Sequence, residues 1–449
     1  MIALFLKLPL FIKFFVAMIA ALISLALYFV LRSQIHGRPS ETVVRGVSLS
    51  NVKGLNRQTI SRDKETARLQ LKIGEIYVPK ALEDRHVLVV GTTGVGKSTL
   101  IRHFLKTIRA RGSRAIVADL GAEFRDEFAR AGDRFFHPGE TGSVLWNPIH
   151  EIEKDSDVEL VLQSIVPTGN TDEEEVWLGK TRDFLKVITY ALLAKGELTL
   201  SNLRRHVVEM GEKELQKFFV EHGSRFEPNS MNSTIRQMAV SAVEGLRFSS
   251  EAPNFSIREF VRNGKGVLYL CPTNQSRAAV SGMINALVNL AIAETMSSAT
   301  GARYSPMFLI VDELSSFQIG DLQGVLEKGR KYNLTAICGM QTIAQLHQKF
   351  GPNGSAVLMS CFRTKVVFNP GEAETASSMA IELGKQVVER DTRSHSGGGS
   401  RGSVSTTTSR VREERFAVSP EELLALADLT CYVKFIGDYP VSKTKITRE

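Results

Sequence analysis

The sequence predicts an α/β protein in which a sheet domain is interrupted by an all-helical segment and preceded by one transmembrane helix. Three observations lead to this fold class. Short apolar runs typical of buried strands alternate with helical periods over residues 75–154 and again over 263–449. Residues 155–262 carry helical periods and no run that predicts a buried strand. An uncharged apolar stretch occupies residues 14–31.

The uncharged stretch reads FFVAMIAALISLALYFVL. At about 1.5 Å per residue such a helix is roughly 27 Å long, close to the hydrocarbon thickness of a bilayer. A cleaved signal peptide is the alternative, because Lys7 and Lys13 precede the run. The length of the run and the lack of a small-residue cleavage site favour a retained anchor, which would occupy residues 1–35. Residues 36–74 are then expected to form a juxtamembrane connector.

The composition suggests a polyanion among the partners, because the net charge is +8. Much of that excess lies in the N-terminal flank and in an Arg-rich segment near the C-terminus. Residues 393–412 are rich in Ser, Gly, Thr and Arg, which predicts either a mobile loop or an extended hairpin tip. The four cysteines stand singly in apolar stretches, a pattern that favours buried thiols over a metal or disulfide site.

The strands of the sheet domain follow from apolar runs bounded by turn residues. We expect strands at residues 86–90, 114–119, 266–270, 307–311, 334–338 and 364–368, and a last strand in CYVKFIGDYP. Continuous apolar strands alternating with helices indicate a parallel sheet covered on both faces. Helices are predicted over residues 98–109 and, with Ser419 as the cap, from Pro420 onwards.

The segment GTTGVGKS matches the G-x-x-x-x-G-K-[ST] phosphate-binding loop, follows a predicted strand and opens a predicted helix. Backbone N–H groups of such a loop wrap phosphates, and the helix N-terminus adds a favourable dipole. Lys97 is expected to contact the β- and γ-phosphates, and the Ser98 hydroxyl to ligate Mg²⁺. The sequence therefore predicts a site for ATP and Mg²⁺ formed by Gly91, Thr92, Thr93, Gly94, Val95, Gly96, Lys97, Ser98 and Thr99.

A second motif, FLIVDE, is an apolar strand that ends in two carboxylates. The strand places Asp312 beside the phosphates and Mg²⁺, and Glu313 is suited to polarise the attacking water. The alternative is an Asp-Glu pair that caps the next helix. The long separation of Lys97 from Asp312 independently supports an inserted domain.

Two further polar positions lie near the next strand. Gln341 at its tip could hydrogen-bond the γ-phosphate or its water, although a simple strand-end cap is the alternative. Arg330 belongs to the charged cluster EKGRKY. Such a cluster is either a solvated helix end or, in a ring ATPase, a source of an arginine that enters the neighbouring subunit's site.

In order along the chain, these elements resemble the type IV coupling proteins of bacterial conjugation and secretion, the TraD/TrwB group of the FtsK–HerA ATPases. The resemblance rests on the N-terminal span, EDRHVLVVGTTGVGKST, DLGAEF, the helical insertion, FLIVDELSSF, EKGRKYNLTAICGMQTIAQL, RTKVVFNPGEAETA and LTCYVKFIGDYPV. It covers roughly residues 75–445. It implies a homo-hexameric ATPase of the bacterial inner membrane, with a RecA-like nucleotide-binding domain and an all-α inserted domain in the cytoplasm.

The resemblance also implies partners and roles. The protein would link the relaxosome, including its relaxase, to the type IV secretion channel and drive DNA transfer by ATP hydrolysis. Lys97 and Ser98 would hold nucleotide and Mg²⁺, Asp312 and Glu313 would form the second acidic motif, Gln341 would be sensor-like, Arg330 would act in trans, and Arg85 would contact nucleotide at a subunit boundary.

Two departures from the family pattern affect these expectations. Members commonly have two transmembrane helices, whereas one span is visible here, and the chain stops soon after DYPV without a long acidic tail. A nucleotide-switched docking receptor without motor activity is the alternative function, and a chromosome-segregation motor of the FtsK type is a third. DNA binding is expected to be largely sequence-independent. The candidate contacts are Arg236, Arg247, Arg401, Arg410 and Arg412. For each of them the alternative is an ordinary solvent-exposed surface residue.

Overall fold

The computed structural model describes residues 18–19, 21–25, 28, 42–119, 122–166, 169, 171–225, 230–272, 276–297, 305–316, 322–397 and 404–448. The described residues fall into two compact units, one within Met1–Gly46 and Lys385–Arg415 and the other within Val47–Gly384 and Phe416–Glu449. The predicted anchor over residues 14–31 lies largely outside the described residues. Among the helices that are described, none has the length and apolar character that a membrane crossing needs.

The strands are numbered in chain order. They are β1 (Thr42–Gly46), β2 (Leu49–Ser50), β3 (Lys72–Ile73), β4 (Ile76–Tyr77), β5 (Val87–Val90), β6 (Arg114–Ala118), β7 (Arg134–Phe136), β8 (Val267–Leu270), β9 (Met307–Val311), β10 (Leu334–Met340), β11 (Thr364–Val367), β12 (Lys385–Gly397), β13 (Val404–Phe416), β14 (Thr430–Phe435) and β15 (Val441–Lys445).

The helices are given by their bounds. The α-helices are Val52–Thr59, Lys64–Arg68, Lys97–Ala110, Glu123–Phe128, Asp155–Ile165, Asp172–Ala194, Leu200–Arg204, Glu212–Glu221, Ser230–Glu244, Ile257–Asn263, Arg277–Ser297, Leu322–Lys328, Ile343–Cys361, Ala373–Leu383 and Pro420–Leu424. Short 3-10 turns cover Lys80–Leu82, Pro148–Glu151, Leu314–Ser316 and Gly329–Tyr332, and a π turn covers Arg205–Glu209.

The smaller unit is a three-stranded sheet in the order β1-β12-β13. Ion pairs cross from β12 to β13, with Lys385 Nζ 2.9 Å from Glu414 Oε1 and Arg412 Nε 2.9 Å from Glu389 Oε2. Within 393–412 the described residues 393–397 and 404–412 belong to β12 and β13, which favours the extended hairpin over the loop; residues 398–403, at its expected tip, lie outside the described residues.

The larger unit contains a ten-stranded sheet in the order β2-β15-β14-β11-β5-β10-β9-β6-β8-β7. The seven strands from β11 to β7 are parallel, as predicted. The prediction of a parallel sheet is wrong for β14, which runs antiparallel to both β11 and β15. Only residues 436–440 join β14 to β15, which is too short for the crossover that parallel strands require.

Side chains of the central strands alternate between two cores, as the pleat of a sheet dictates. Val87 and Val89 of β5 pack with the helix Lys97–Ala110 on one face. Leu88 and Val90 belong to a second core on the other face, which also includes the helical segment that follows β7. The sheet is thus covered on both faces, and its carboxyl edge carries the loops after β5, β6, β9 and β10.

The described part of residues 155–262 is helical and contains no strand, and it belongs to the same compact unit as the main sheet. A buried ion cluster fastens it, because Arg258 Nη2 lies 3.1 Å from Asp157 Oδ1 and Arg258 Nη1 lies 3.2 Å from Glu294 Oε2. Its exact boundaries as a domain, 155 and 262, stay a prediction. The predicted connector, residues 36–74, contributes β2 to the main sheet and two short helices.

Candidate nucleotide-binding site

The phosphate-binding loop connects the fully buried strand β5 to the helix Lys97–Ala110. Gly96 caps the helix with φ +117°, a backbone conformation that side chains with a Cβ rarely adopt. A Cβ at Gly96 would also lie 2.8 Å from Leu429 Cδ2. Glycine at this position therefore lets the loop turn tightly while it packs against the strands beside it.

The helix start opens into a cavity of about 320 Å³ at the carboxyl edge of the sheet. The residues that line it are Thr93, Gly94, Gly96, Lys97, Ser98, Thr99, Arg102, Glu123, Asp312, Glu313 and Gln341. The structure thus brings together predicted residues from three separate strand ends. Gly91, Thr92 and Val95 belong to the same loop. They are not among the described residues that line the cavity.

Lys97 is buried, with 8% of its surface exposed. Its Nζ donates hydrogen bonds to the carbonyl oxygens of Gly91 at 2.6 Å and Thr92 at 2.9 Å. Burial lowers the pKa of Lys97, while the negative charges of Asp312 and Glu313 act in the opposite direction and raise it. The loop therefore holds the lysine cation at the wall of the cavity.

Asp312 follows β9 and is linked to the loop by Ser98, whose Oγ lies 3.3 Å from Asp312 Oδ2 and 3.4 Å from Oδ1. Burial raises the pKa of Asp312, against the lowering effects of Lys97 and Ser98. The neighbouring strand β10 approaches very closely at Gly339, where a Cβ would stand 1.9 Å from the Asp312 carbonyl oxygen. A larger residue at Gly339 would push the Asp312 backbone away.

Glu313 is held by Ser315, whose Oγ lies 2.7 Å from Glu313 Oε1. The other oxygen, Oε2, is buried and has no hydrogen-bond partner among the described residues. A carboxylate that is fixed at one oxygen and unsatisfied at the other is suited to orient a water molecule in the cavity. This arrangement fits the predicted role of Glu313 as the residue that polarises the attacking water.

Lys349 is a nearby cation that the sequence reasoning missed. It lies on the helix Ile343–Cys361, which begins just after Gln341, and its Nζ donates to the carbonyl oxygen of Leu314 at 3.3 Å. Burial lowers the pKa of Lys349 to about 8, and the charge of Glu313 opposes that shift. A lysine on an amphipathic helix usually reads as solvent-exposed, so the sequence offered no signal for this position.

A second missed group is Asp119, which follows β6 beside β9. Its Oδ2 accepts a hydrogen bond from the Arg125 backbone N–H at 2.8 Å. Burial raises the pKa of Asp119 to about 6. The motif DLGAEF marked this turn in the sequence, but nothing in its pattern assigned a role to the aspartate.

Arg85 and Arg330 lie at the amino edge of the sheet, before β5 and β10 respectively. Arg330 Nε pairs with Asp84 Oδ2 at 3.0 Å, and the Arg330 side chain is 56% exposed. Because β5 has four residues, it separates this edge from the phosphate loop by about 13 Å. Neither arginine lines the cavity of its own chain within the described residues.

The arginines proposed to contact DNA have different surroundings. The Arg236 guanidinium donates to backbone carbonyls, including that of Val207 at 3.0 Å, which indicates a structural role. Arg247 lies over the Phe248 ring, 4.9 Å from its centroid, and remains exposed. Arg410 and Arg412 pair with acidic residues of β12, and Arg401 lies outside the described residues.

Two kinds of known protein are similar to this chain over most of its length. It is 23% identical to the coupling protein TraD of Escherichia coli (strain K12), across 96% of this chain and 62% of that protein, so the chain spans less than two thirds of this relative. The structure of the bacterial conjugative coupling protein TrwBdeltaN70 in its unbound form matches with a TM-score of 0.80 and 28% identity, covering 92% of this chain and 94% of that one.

The plasmid coupling protein TrwB in complex with ADP and Mg²⁺ matches equally well, with a TM-score of 0.79, 28% identity, and coverage of 92% and 95% of the two chains. The family model of the type IV secretion-system coupling protein DNA-binding domain matches residues 70–447. That range includes the phosphate loop, the helical segment, the acidic pair Asp312 and Glu313, and β15. The chain therefore belongs to the family of type IV secretion-system coupling proteins.

Proposed function

We propose that this protein is a membrane-anchored ATPase that couples ATP hydrolysis to DNA transfer through a type IV secretion channel. The observation that carries the proposal is the convergence of Lys97, Ser98, Asp312, Glu313 and Gln341 on one cavity. The family supports it, and so do the TrwB structures with ADP and Mg²⁺ and with a non-hydrolysable ATP analogue.

The residues of the cavity fit ATP and Mg²⁺. The loop turns its backbone and the start of a 14-residue helix toward the cavity, which favours bound phosphate. Lys97 would exchange its loop carbonyls for phosphate oxygens, and Ser98 and Asp312 would hold the Mg²⁺ ion with its water ligands. When bound, Mg²⁺ neutralises the charge of the transferring phosphate.

Hydrolysis then falls to Glu313 and Gln341. Glu313 has a fixed carboxylate with one unsatisfied oxygen, so it would orient and polarise the attacking water. Gln341 lines the same cavity at the end of β10 and would hydrogen-bond the γ-phosphate or that water. Gln341 lies just before the helix Ile343–Cys361, so a change in its contact with the nucleotide would be transmitted to that helix.

Arg330 supports a ring assembly. Because it lies at the amino edge of the sheet, away from the phosphate loop of its own chain, it would reach a phosphate in the cavity of another subunit. Arg85 lies at the same edge and would accompany it at the subunit boundary. We infer a homo-hexamer in which each subunit contributes Arg330 to its neighbour.

The remaining parts of the proposal concern partners and location. The protein would bind DNA largely independently of sequence, receive the relaxosome with its relaxase, and deliver the substrate to the secretion channel. The predicted span over residues 14–31 would anchor it in the bacterial inner membrane in one or two passes, with the ATPase domain in the cytoplasm, where ATP is found.

The test combines ATP hydrolysis by the purified full-length chain with DNA transfer between cells. Lys97→Ala should abolish nucleotide binding and transfer. Glu313→Gln should trap bound ATP with little turnover. Lys106→Ala is the matched control, because Lys106 is an exposed lysine on the same helix. Wild-type hydrolysis and transfer by both Lys97→Ala and Glu313→Gln would contradict the proposed site.

A docking receptor that uses ATP only as an assembly switch remains the second candidate. The geometry of Glu313 favours hydrolysis over a passive switch. DNA distinguishes the two functions, because a motor should hydrolyse ATP faster when DNA is present. A turnover that DNA leaves unchanged, under conditions that permit oligomerisation, would favour the receptor.

A further inference from the structure

Asp119 stands beside Asp312 on the face of the sheet that carries the phosphate loop. The strands β6 and β9 are parallel neighbours, with Ala118 paired to Val311. Asp119 and Asp312 are the next residues of the two strands, and the Asp119 backbone N–H still donates to Leu270 O of β8 at 2.9 Å. Neighbouring strands lie about 4.8 Å apart, so the two carboxylates emerge side by side.

The burial of Asp119 is unusual for a carboxylate. Only 1% of its surface is exposed, and its Oδ1 has no hydrogen-bond partner among the described residues. The Oδ2 atom accepts from the Arg125 N–H, the Phe124 N–H also acts on this carboxyl group, and Asp119 so caps the short helix Glu123–Phe128. The cap accounts for Oδ2 and leaves Oδ1 without a hydrogen-bond partner among the described residues, and an unsatisfied buried oxygen is unfavourable.

The charge around Asp119 points to a cation. Asp312 and Glu123 both act on Asp119 as neighbouring negative charges. Lys97 is a buried cation on this side, whereas Arg102 is already paired with Glu123 at 3.0 Å and with Glu127 at 2.7 Å. Two buried carboxylates on neighbouring strand ends, Asp119 and Asp312, form an arrangement that a bound cation stabilises.

No cluster of three or more metal-ligating side chains that could hold an ion exists among the described residues. Protein groups alone would therefore not complete the coordination of Mg²⁺. This ion usually keeps several water ligands and binds through one or two carboxylates together with nucleotide phosphates. Buried oxygens next to such a site accept hydrogen bonds from the water ligands and orient them.

We infer that Asp119 is an outer carboxylate of the metal site, which accepts a hydrogen bond through Oδ1 from a water ligand of the nucleotide-bound Mg²⁺ and thereby strengthens divalent-cation binding. The inference rests on the proposed function, because it assumes that Asp312 and Ser98 hold the nucleotide's Mg²⁺. Asp119 is a positioning residue in this arrangement and does not touch the reacting phosphate.

The experiment measures the binding of Mn²⁺, as a paramagnetic substitute for Mg²⁺, to the full-length chain in the presence of ADP by electron paramagnetic resonance. Asp119→Asn keeps an oxygen that can accept from Arg125 N–H but removes the charge. It should weaken Mn²⁺ binding roughly 10–100-fold. Binding of ADP in EDTA should be unchanged, which separates the metal from the nucleotide.

Two further variants make the test decisive. Asp119→Ser also keeps an acceptor for the cap and should weaken Mn²⁺ binding to a similar extent, so a folding failure of one variant leaves the other to decide. Asp63→Asn is the control, because Asp63 caps another short helix through the Thr66 N–H at 2.7 Å, in the stretch before β3. It should bind Mn²⁺ as the wild type does.

The outcomes distinguish this inference from the proposed function. Wild-type Mn²⁺ affinity in Asp119→Asn or Asp119→Ser would overturn the inference and show that Asp119 is only a helix cap. Failure of the wild-type chain itself to bind Mn²⁺ with ADP would instead count against the proposed nucleotide site.

Discussion

The close approach of β10 to Asp312 gives a quantitative prediction for Gly339→Ala. The added Cβ would stand 1.9 Å from the Asp312 carbonyl oxygen and 2.8 Å from its carbonyl carbon. These are backbone atoms, so no side chain can rotate away. To reach ordinary contact distance, the end of β9 must move by on the order of 1 Å.

This displacement acts directly on the site. Asp312 would leave hydrogen-bond distance of Ser98, which is already 3.3 Å away. A misplacement of about 1 Å at a reacting centre can lower the rate about 10²-fold. Overpacking of this kind costs about 1–3 kcal/mol, which is less than the total stability of about 5–15 kcal/mol of a typical protein. We therefore expect a folded protein with about 10²-fold slower ATP hydrolysis.

The assay is steady-state ATP hydrolysis by the purified full-length chain, with thermal unfolding followed in parallel. Gly282→Ala is the matched control, because a Cβ at Gly282 would meet only Gly245 O at 4.0 Å. That substitution lies inside the helix Arg277–Ser297 and should leave turnover unchanged. Wild-type turnover and wild-type melting temperature in Gly339→Ala would refute the reasoning that this glycine is required for the position of Asp312.

Two other predictions concern the amino edge of the sheet. Arg330→Ala should lower turnover by roughly 10³-fold while nucleotide affinity is kept. The control Lys331→Ala should leave turnover unchanged. If a mixture of Arg330→Ala and Glu313→Gln subunits recovers no activity, that result would argue against action in trans. His86 is buried and its Nδ1 accepts from the Ala336 N–H at 3.0 Å; burial lowers its pKa to about 4 from the ordinary 6.5. As the pH falls, the unfolded chain binds a proton at this histidine before the folded chain does. The contribution of neutral His86 to the free energy of unfolding should therefore be fully present above pH 6.5. It should decrease by up to about 3 kcal/mol as the pH drops through 4. Urea unfolding of His86→Gln should show a flatter pH dependence, and an unchanged slope would contradict this assignment.

The central sheet was predictable from the sequence because its strands are buried on both faces. Continuous apolar runs predicted β5, β6, β8, β9, β10 and β11 to within a few residues. The edge strands were missed for a physical reason. The strand β2 has two residues and β7 has three, so neither is long enough to show a hydrophobic period. The direction of β14 depended on the length of a connection, which apolar patterning does not reveal.

The candidate site was predictable where a motif fixes both residue type and spacing. Lys97, Ser98, Asp312, Glu313 and Gln341 follow strands whose carboxyl ends meet at one edge, so their proximity follows from a parallel sheet. Their individual roles stay predictions until the variants above are measured.

Asp119 and Lys349 could not be predicted in the same way. What distinguishes Asp119 is its burial, and what distinguishes Lys349 is its contact with the turn after Glu313. Both properties arise only when separate parts of the chain pack together. An aspartate two residues before a glycine, like a lysine on a helix, is otherwise an ordinary surface residue.

The pairing of early strands with late ones has a consequence for biosynthesis. Thr42 of β1 pairs with Glu389 of β12, and Leu49 of β2 pairs with Val441 of β15. During translation both early strands must wait for their partners, on the order of tens of seconds at ordinary elongation rates. Unpaired strand edges can pair with other chains, so a ribosome-bound chain is prone to aggregation in this interval. A nascent chain that stalls before residue 441 would already contain the phosphate loop but would leave β14 unpaired on one side.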